Sequence, residues 1–139
     1  MTYLKLFLIG LPVFAVLDFI WLGLIMSRFY QDQLGSLGRY VNGSLQPVWI
    51  SAILAYVFLV AGLVIFVIGP FIGKEFGWDL FLWGALFGLI VYGIYEFTNH
   101  AIVANWPVGL VIVDTLWGCL LYAIAGYLTA TIARWLEII

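Results

Sequence analysis

Residues 6–26 read LFLIGLPVFAVLDFIWLGLIM, an apolar run interrupted by a single charge, Asp18. About 20 apolar residues are needed for a helix to cross a bilayer, so this run is long enough to span one. Lys5 ahead of it imitates the start of a secretory signal. The run outlasts a signal's apolar core, carries an acid and lacks a small-residue cleavage site, so it reads as a retained first span.

Three further runs follow, and the four spans are expected at about residues 4–26, 48–71, 80–99 and 108–132. Pro47 and Pro107 open the second and fourth. Proline suits a helix's first turn, where its missing N–H has no partner to lose. Nothing shows the ten-residue alternation of a membrane barrel, and helices satisfy every backbone group within the span. The expected fold class is therefore all-α: an integral membrane bundle of four transmembrane helices, one domain over residues 1–139, with both termini on the same side.

Composition agrees. Of 139 residues, 66% are hydrophobic and 9% charged, and the mean hydropathy is +1.19. Soluble domains carry roughly 45–50% apolar and about 25% charged residues, so lipid is the solvent. Five Lys and Arg within a net charge of −2 provide no basic face, which excludes nucleic acid as a partner. The single cysteine, Cys119, allows no disulfide and reads as a small buried hydrophobe.

The connection from Ser27 to Gln46 is the long one, with Arg28, Asp32, Arg39 and the turn formers Gly35, Gly38, Asn42 and Gly43. Phe29-Tyr30 near its start suits an interfacial turn. The N-terminus, second loop and C-terminus carry Lys5, Lys74 and Arg134, against Arg28 and Arg39 on the other side, a bias too small to orient the chain. Trp49, Trp78, Trp106 and Trp135 fall near span ends as expected interfacial anchors, while Trp21, Trp83 and Trp117 lie deeper as packing or site-lining residues. Gly84 and Gly88 form a small-xxx-small pair, the mark of a close helix–helix contact.

Three acids, Asp18, Glu96 and Asp114, stand inside spans with no Lys or Arg in the same helix interior. Ionisable groups at bilayer depth are costly and mark functional sites by default. At 1.5 Å per residue, Asp18 lies about 12–14 Å below the first-loop surface, Asp114 about 10 Å and Glu96 about 5 Å, all in one leaflet. Tyr92, Tyr95, Glu96 and Asn99 share one helical face, expected to look into the bundle or a wet cavity. Asp18 and Trp21 are one turn apart, and Asp114 has Trp117 beside it. The runs Val16–Trp21 and Ile112–Trp117 both read apolar-apolar-Asp-x-apolar-Trp. Six residues establish no inverted repeat, and coincidence is the simpler account.

The motifs Leu17–Gly23, Phe29-Tyr30-Gln31, Tyr92–Asn99, Trp106-Pro107 and Val113–Gly118 resemble those of an uncharacterised bacterial family, domain of unknown function 2177. The resemblance covers nearly the whole chain. It implies a four-helix membrane protein of the bacterial inner (cytoplasmic) membrane and brings no activity. Members more often carry Asp where Glu96 stands, so an acid there fits, whereas His100 does not match the pattern.

Two kinds of role follow for the acids. In a structural one they hold helices together through Trp, Tyr, Thr or Asn donors at about 0.6–2 kcal/mol per bond, Asp18 with Trp21 and Asp114 with Tyr95 or Asn99. In a functional one they line a polar cavity under a lid formed by the first loop, with Arg28 or Arg39 folded over its mouth. Crowded acids without cations cannot all ionise, so one is expected to hold a proton. The site expected to bind a ligand or proton is Asp18, Glu96, Asp114, Tyr92, Tyr95, Asn99, Trp21 and Trp117. A minor alternative is a metal on Asp18, Glu96, His100 and Asp114. Motifs imply no cofactor, and phosphate-loop and nucleophile-elbow signatures are absent. The expected function is binding or transport of a small cationic or proton-coupled ligand. The alternatives are a membrane-embedded enzyme acting on a lipid or isoprenoid, or a structural subunit. Membrane lipids and a second copy of the chain, as a dimer, are the expected partners.

Overall fold

The structure is a computed structural model that describes residues 1–139. Four helices are long and apolar enough to cross a membrane: α1 (Thr2–Ile25), α3 (Trp49–Phe71), α4 (Trp78–Ile102) and α5 (Val108–Trp135). Between α1 and α3 come a short helix, α2 (Ser27–Leu34), and a two-stranded hairpin of β1 (Tyr40–Val41) and β2 (Ser44–Leu45). α4 runs three residues past the expected end at Asn99, and α5 three past Ile132. Backbone hydrogen bonding continues into the interface after the apolar run has stopped.

The long first connection is thus ordered from within. Asn42 and Gly43 both take positive φ, 50° and 77°, the turn that an Asn-Gly pair favours between two strands. Tyr40 pairs with Leu45 and Val41 with Ser44. The hydroxyl of Tyr40 donates to the carbonyl of Gln31, tying the hairpin back to α2.

α5 is the central helix. It packs along α4 and α1, and its small residues Ala123, Ala125, Gly126, Ala130 and Ala133 are buried. Small residues let helix backbones approach where lipid supplies no hydrophobic drive for association. The Gly84–Gly88 pair serves this inner contact. A Cβ on Gly84 would press on the backbone of Tyr122 and Ala123, and one on Gly88 would strike the carbonyl of Gly118. Outward positions are apolar instead, among them Leu8, Phe58, Ile94 and Leu116, as lipid contact requires.

α1 and α3 each contain a widened turn with five-residue spacing, Ile20–Ile25 and Leu63–Ile68. Such a turn leaves carbonyls short of partners, and it often lies near a functional site. The indole of Trp83 on α4 donates to the carbonyl of Phe66 in the widened turn of α3 at 2.8 Å, and Phe66 stacks on Phe87. Trp83 is therefore an α3–α4 fastener far from the acids rather than a lining residue. At the opposite end from the hairpin, Arg134 bridges Glu75 at 2.9 Å, donates to the carbonyl of Lys74, and lies over the Phe76 ring.

Gly88→Ala is expected to destabilise the bundle by about 1–3 kcal/mol, because the added methyl meets backbone that cannot give way. Gly93→Ala on the same helix meets only the Thr115 methyl at 3.8 Å and should be near neutral. Reversible unfolding in mixed detergent, comparing the two variants, measures the difference.

Candidate functional site

Asp18 lies on α1 with 5% of its surface exposed. Both of its oxygens are satisfied from other helices. Trp117 of α5 donates its indole N–H to Oδ1 at 2.9 Å, and the hydroxyl of Tyr56 on α3 donates to Oδ2. Trp21, one turn from Asp18, is not its partner. The indoles of Trp21 and Trp117 stack at 4.4 Å with planes 4° apart, and each N–H bonds away from its own helix. That of Trp21 goes to the hydroxyl of Tyr30 at 3.2 Å.

Tyr30 passes the contact on. Its hydroxyl donates to Oδ1 of Asp114, so Asp114 is held by α2 rather than by Tyr95 or Asn99. Burial pushes the Tyr30 phenol above its ordinary value of 10.0, and the Asp114 carboxylate raises it further. Asp114 shares the lining of one cavity with Glu96. Glu96 is 1% exposed, and the indole N–H of Trp106 donates to its Oε2 at 2.8 Å.

The three acids line one cavity of about 580 Å³ at the first-loop end of the bundle. Its size falls within the roughly 300–1,000 Å³ of small-ligand pockets. α2 and the hairpin cover it, contributing Ser27, Tyr30, Gln31, Leu34, Ser44 and Leu45. No Lys, Arg or His lines it. Arg28 and Arg39 are both exposed, and Arg39 borders an outer vestibule of about 710 Å³ that meets the cavity at Leu22, Gly23, Leu34, Leu45, Tyr95 and Trp106. The first loop covers the site with a helix and a hairpin, not with an arginine. A second space of about 460 Å³ opens between α3 and α4, and Tyr92, Tyr95 and Asp114 line both it and the acidic cavity.

The remaining expected site residues are distributed around this centre. Tyr92 is half-buried, and Tyr95 is 57% exposed at the cavity's edge, so the Tyr92–Asn99 face looks partly outward. Asn99 is half-buried and stays outside the cavity lining. Trp21 and Trp117 stand behind the wall as donors. His100 is exposed, and no group of three or more His, Cys, Asp or Glu side chains is disposed to hold a metal ion, so the four-residue metal set is not assembled.

Three donors escaped the sequence reading. Trp106 looked like an interfacial anchor, and Tyr30 like an interfacial turn residue. Tyr56 carried the clearest unused signal. It lies seven residues into α3, about 10 Å deep by the same count that placed the acids, and a phenol at that depth needs an acceptor.

A family model described as "Predicted membrane protein (DUF2177)" matches residues 3–131, and the chain belongs to that family. No curated protein and no solved structure matches the chain. Membrane residence is what the family's description conveys, and it names no activity.

Trp117→Phe would leave Oδ1 of Asp18 without its donor in a buried site, at an expected cost of about 1–3 kcal/mol. Unfolding of the purified variant measures it. Tyr30→Phe should keep the bundle folded but free α2, raising amide hydrogen exchange across residues 27–47. In the wild type the docked phenol favours its neutral form. Its stabilising contribution is therefore complete below pH 10.0 and is lost progressively above it, a loss the Tyr30→Phe variant should not show.

Proposed function

We propose that the protein binds a small organic cation within the membrane, in exchange for a proton held by the Glu96–Asp114 pair, as a step in its transport. The observation that carries this reading is the cavity wall, which presents three carboxyls and no basic side chain. Tyr30, Tyr92, Tyr95 and Trp106 share that wall. Aromatic faces beside carboxylates suit an ammonium group, which gains from ring quadrupoles and from direct ion pairing when water is excluded. An inorganic ion finds less here, since the acids are not disposed as a coordination shell.

The acids divide the work. Asp18 already has donors on both oxygens and serves as the fixed point of the wall. Asp114 and Glu96 each accept one protein donor and line the same cavity, so they are the pair we assign to release a proton and take a cation. Four spans make a short pathway, and a dimer in the bacterial inner membrane would complete it.

Titration calorimetry of methylammonium into the protein in nanodiscs tests this reading. Binding should weaken on acidification, as carboxyls fill with protons, and should release protons at neutral pH. Asp114→Asn and Glu96→Gln should each weaken it by about tenfold or more, roughly 1.4 kcal/mol. Equal binding by the variant with Asp18→Asn, Glu96→Gln and Asp114→Asn combined would leave the acids as helix fasteners.

A further inference from the structure

We infer that the cation carries a hydrocarbon chain and reaches the acidic cavity sideways from the lipid, through the cleft between α3 and α4. This rests on the cation reading of the cavity and adds the class of ligand and its route. The cleft is apolar along Ala55, Phe58, Gly62, Phe87 and Val91. Ala55 and Phe58 at its outer edge are exposed toward lipid. Its inner end is shared with the acidic cavity, where Tyr92, Tyr95 and Asp114 line both spaces. A chain lying in the cleft therefore has its head at Asp114.

The opening is built into the helices. α3 and α4 are fastened below it by the Trp83 N–H on the Phe66 carbonyl and by the Phe66–Phe87 stack. The hydroxyl of Tyr122 donates to the carbonyl of Leu59 at 2.9 Å, and its ring meets Phe87 edge-on, closing the floor. Above Gly62 the two helices part, and the Trp49–Gly62 half of α3 packs on α1 instead. With the Tyr122 hydroxyl already bonded, the cleft offers a polar partner only at its shared end. A water-soluble solute gains nothing along it. A hydrocarbon chain moves between equally apolar surroundings, because lipid tails are as apolar as Leu. The chain thus selects by access and by its concentration in the membrane, and the carboxyls supply the capture of the head.

The test compares dodecylamine with methylammonium, each added to the protein in phosphatidylcholine nanodiscs, with occupancy counted by native mass spectrometry. Ala55→Trp fills the cleft from a lipid-facing position, and Val91→Phe fills it from the other wall should the first variant fold poorly. Either filling should lower dodecylamine occupancy about tenfold while methylammonium binding stays at the wild-type level. Asp114→Asn should lower both. Unchanged dodecylamine binding in both filled variants, with methylammonium still bound, would overturn the lateral route and leave the cavity reading intact. An equal fall for both amines on filling would also overturn it. Failure of the wild type to bind either amine would remove the cavity reading and the route together.

Discussion

A carboxyl group at bilayer depth must find hydrogen-bond donors inside the protein, because lipid has none and this bundle places no cation near its acids. Asp18 meets that demand with the Trp117 indole and the Tyr56 hydroxyl, one from α5 and one from α3. A single side chain on α1 thereby ties three helices at one depth. Stacking of Trp21 on Trp117 adds a second link between α1 and α5, and the Trp21 N–H extends it through Tyr30 to Asp114. The covering helix α2 is held by the same chain of bonds.

That constraint also separates the acids by role. Asp18 is saturated, and a saturated buried carboxyl specifies packing. Asp114 and Glu96 line one cavity, each with one aromatic donor. Two acids lining one cavity without a cation are poor fasteners, since like carboxylates repel each other when both ionise. The proposed exchange of a proton for a cation draws on that arrangement.

The membrane fold was legible because the bilayer imposes a length and a polarity on each span, and the apolar runs at the four helices meet both. Depth counting placed the acids at one end because a helix rises by a fixed amount per residue. What escaped was rotation and partnership. Trp21 and Trp117 were named from their spacing to Asp18 and Asp114, yet their stack sends each N–H away from its own helix. The Asp-x-x-Trp echo therefore describes an interlock: Trp117 reaches Asp18 directly, and Trp21 reaches Asp114 through Tyr30. The Asn42-Gly43 turn was readable, but that α2 and the hairpin together roof the cavity depends on the Tyr30 contact, which joins residues far apart in the chain. The cleft between α3 and α4 has no one-dimensional signal, because it arises where two helices part.

The central claim is that Glu96 and Asp114 share a proton in the resting protein and yield it to a cation. Infrared difference spectroscopy of the carboxylic C=O stretch reads this directly. At neutral pH the wild type should show a protonated-carboxyl band that diminishes as an organic ammonium ion is added, and Asp114→Asn should lose that response. A band that is absent at neutral pH, or one that an ammonium ion at saturating concentration leaves unchanged, would contradict the account.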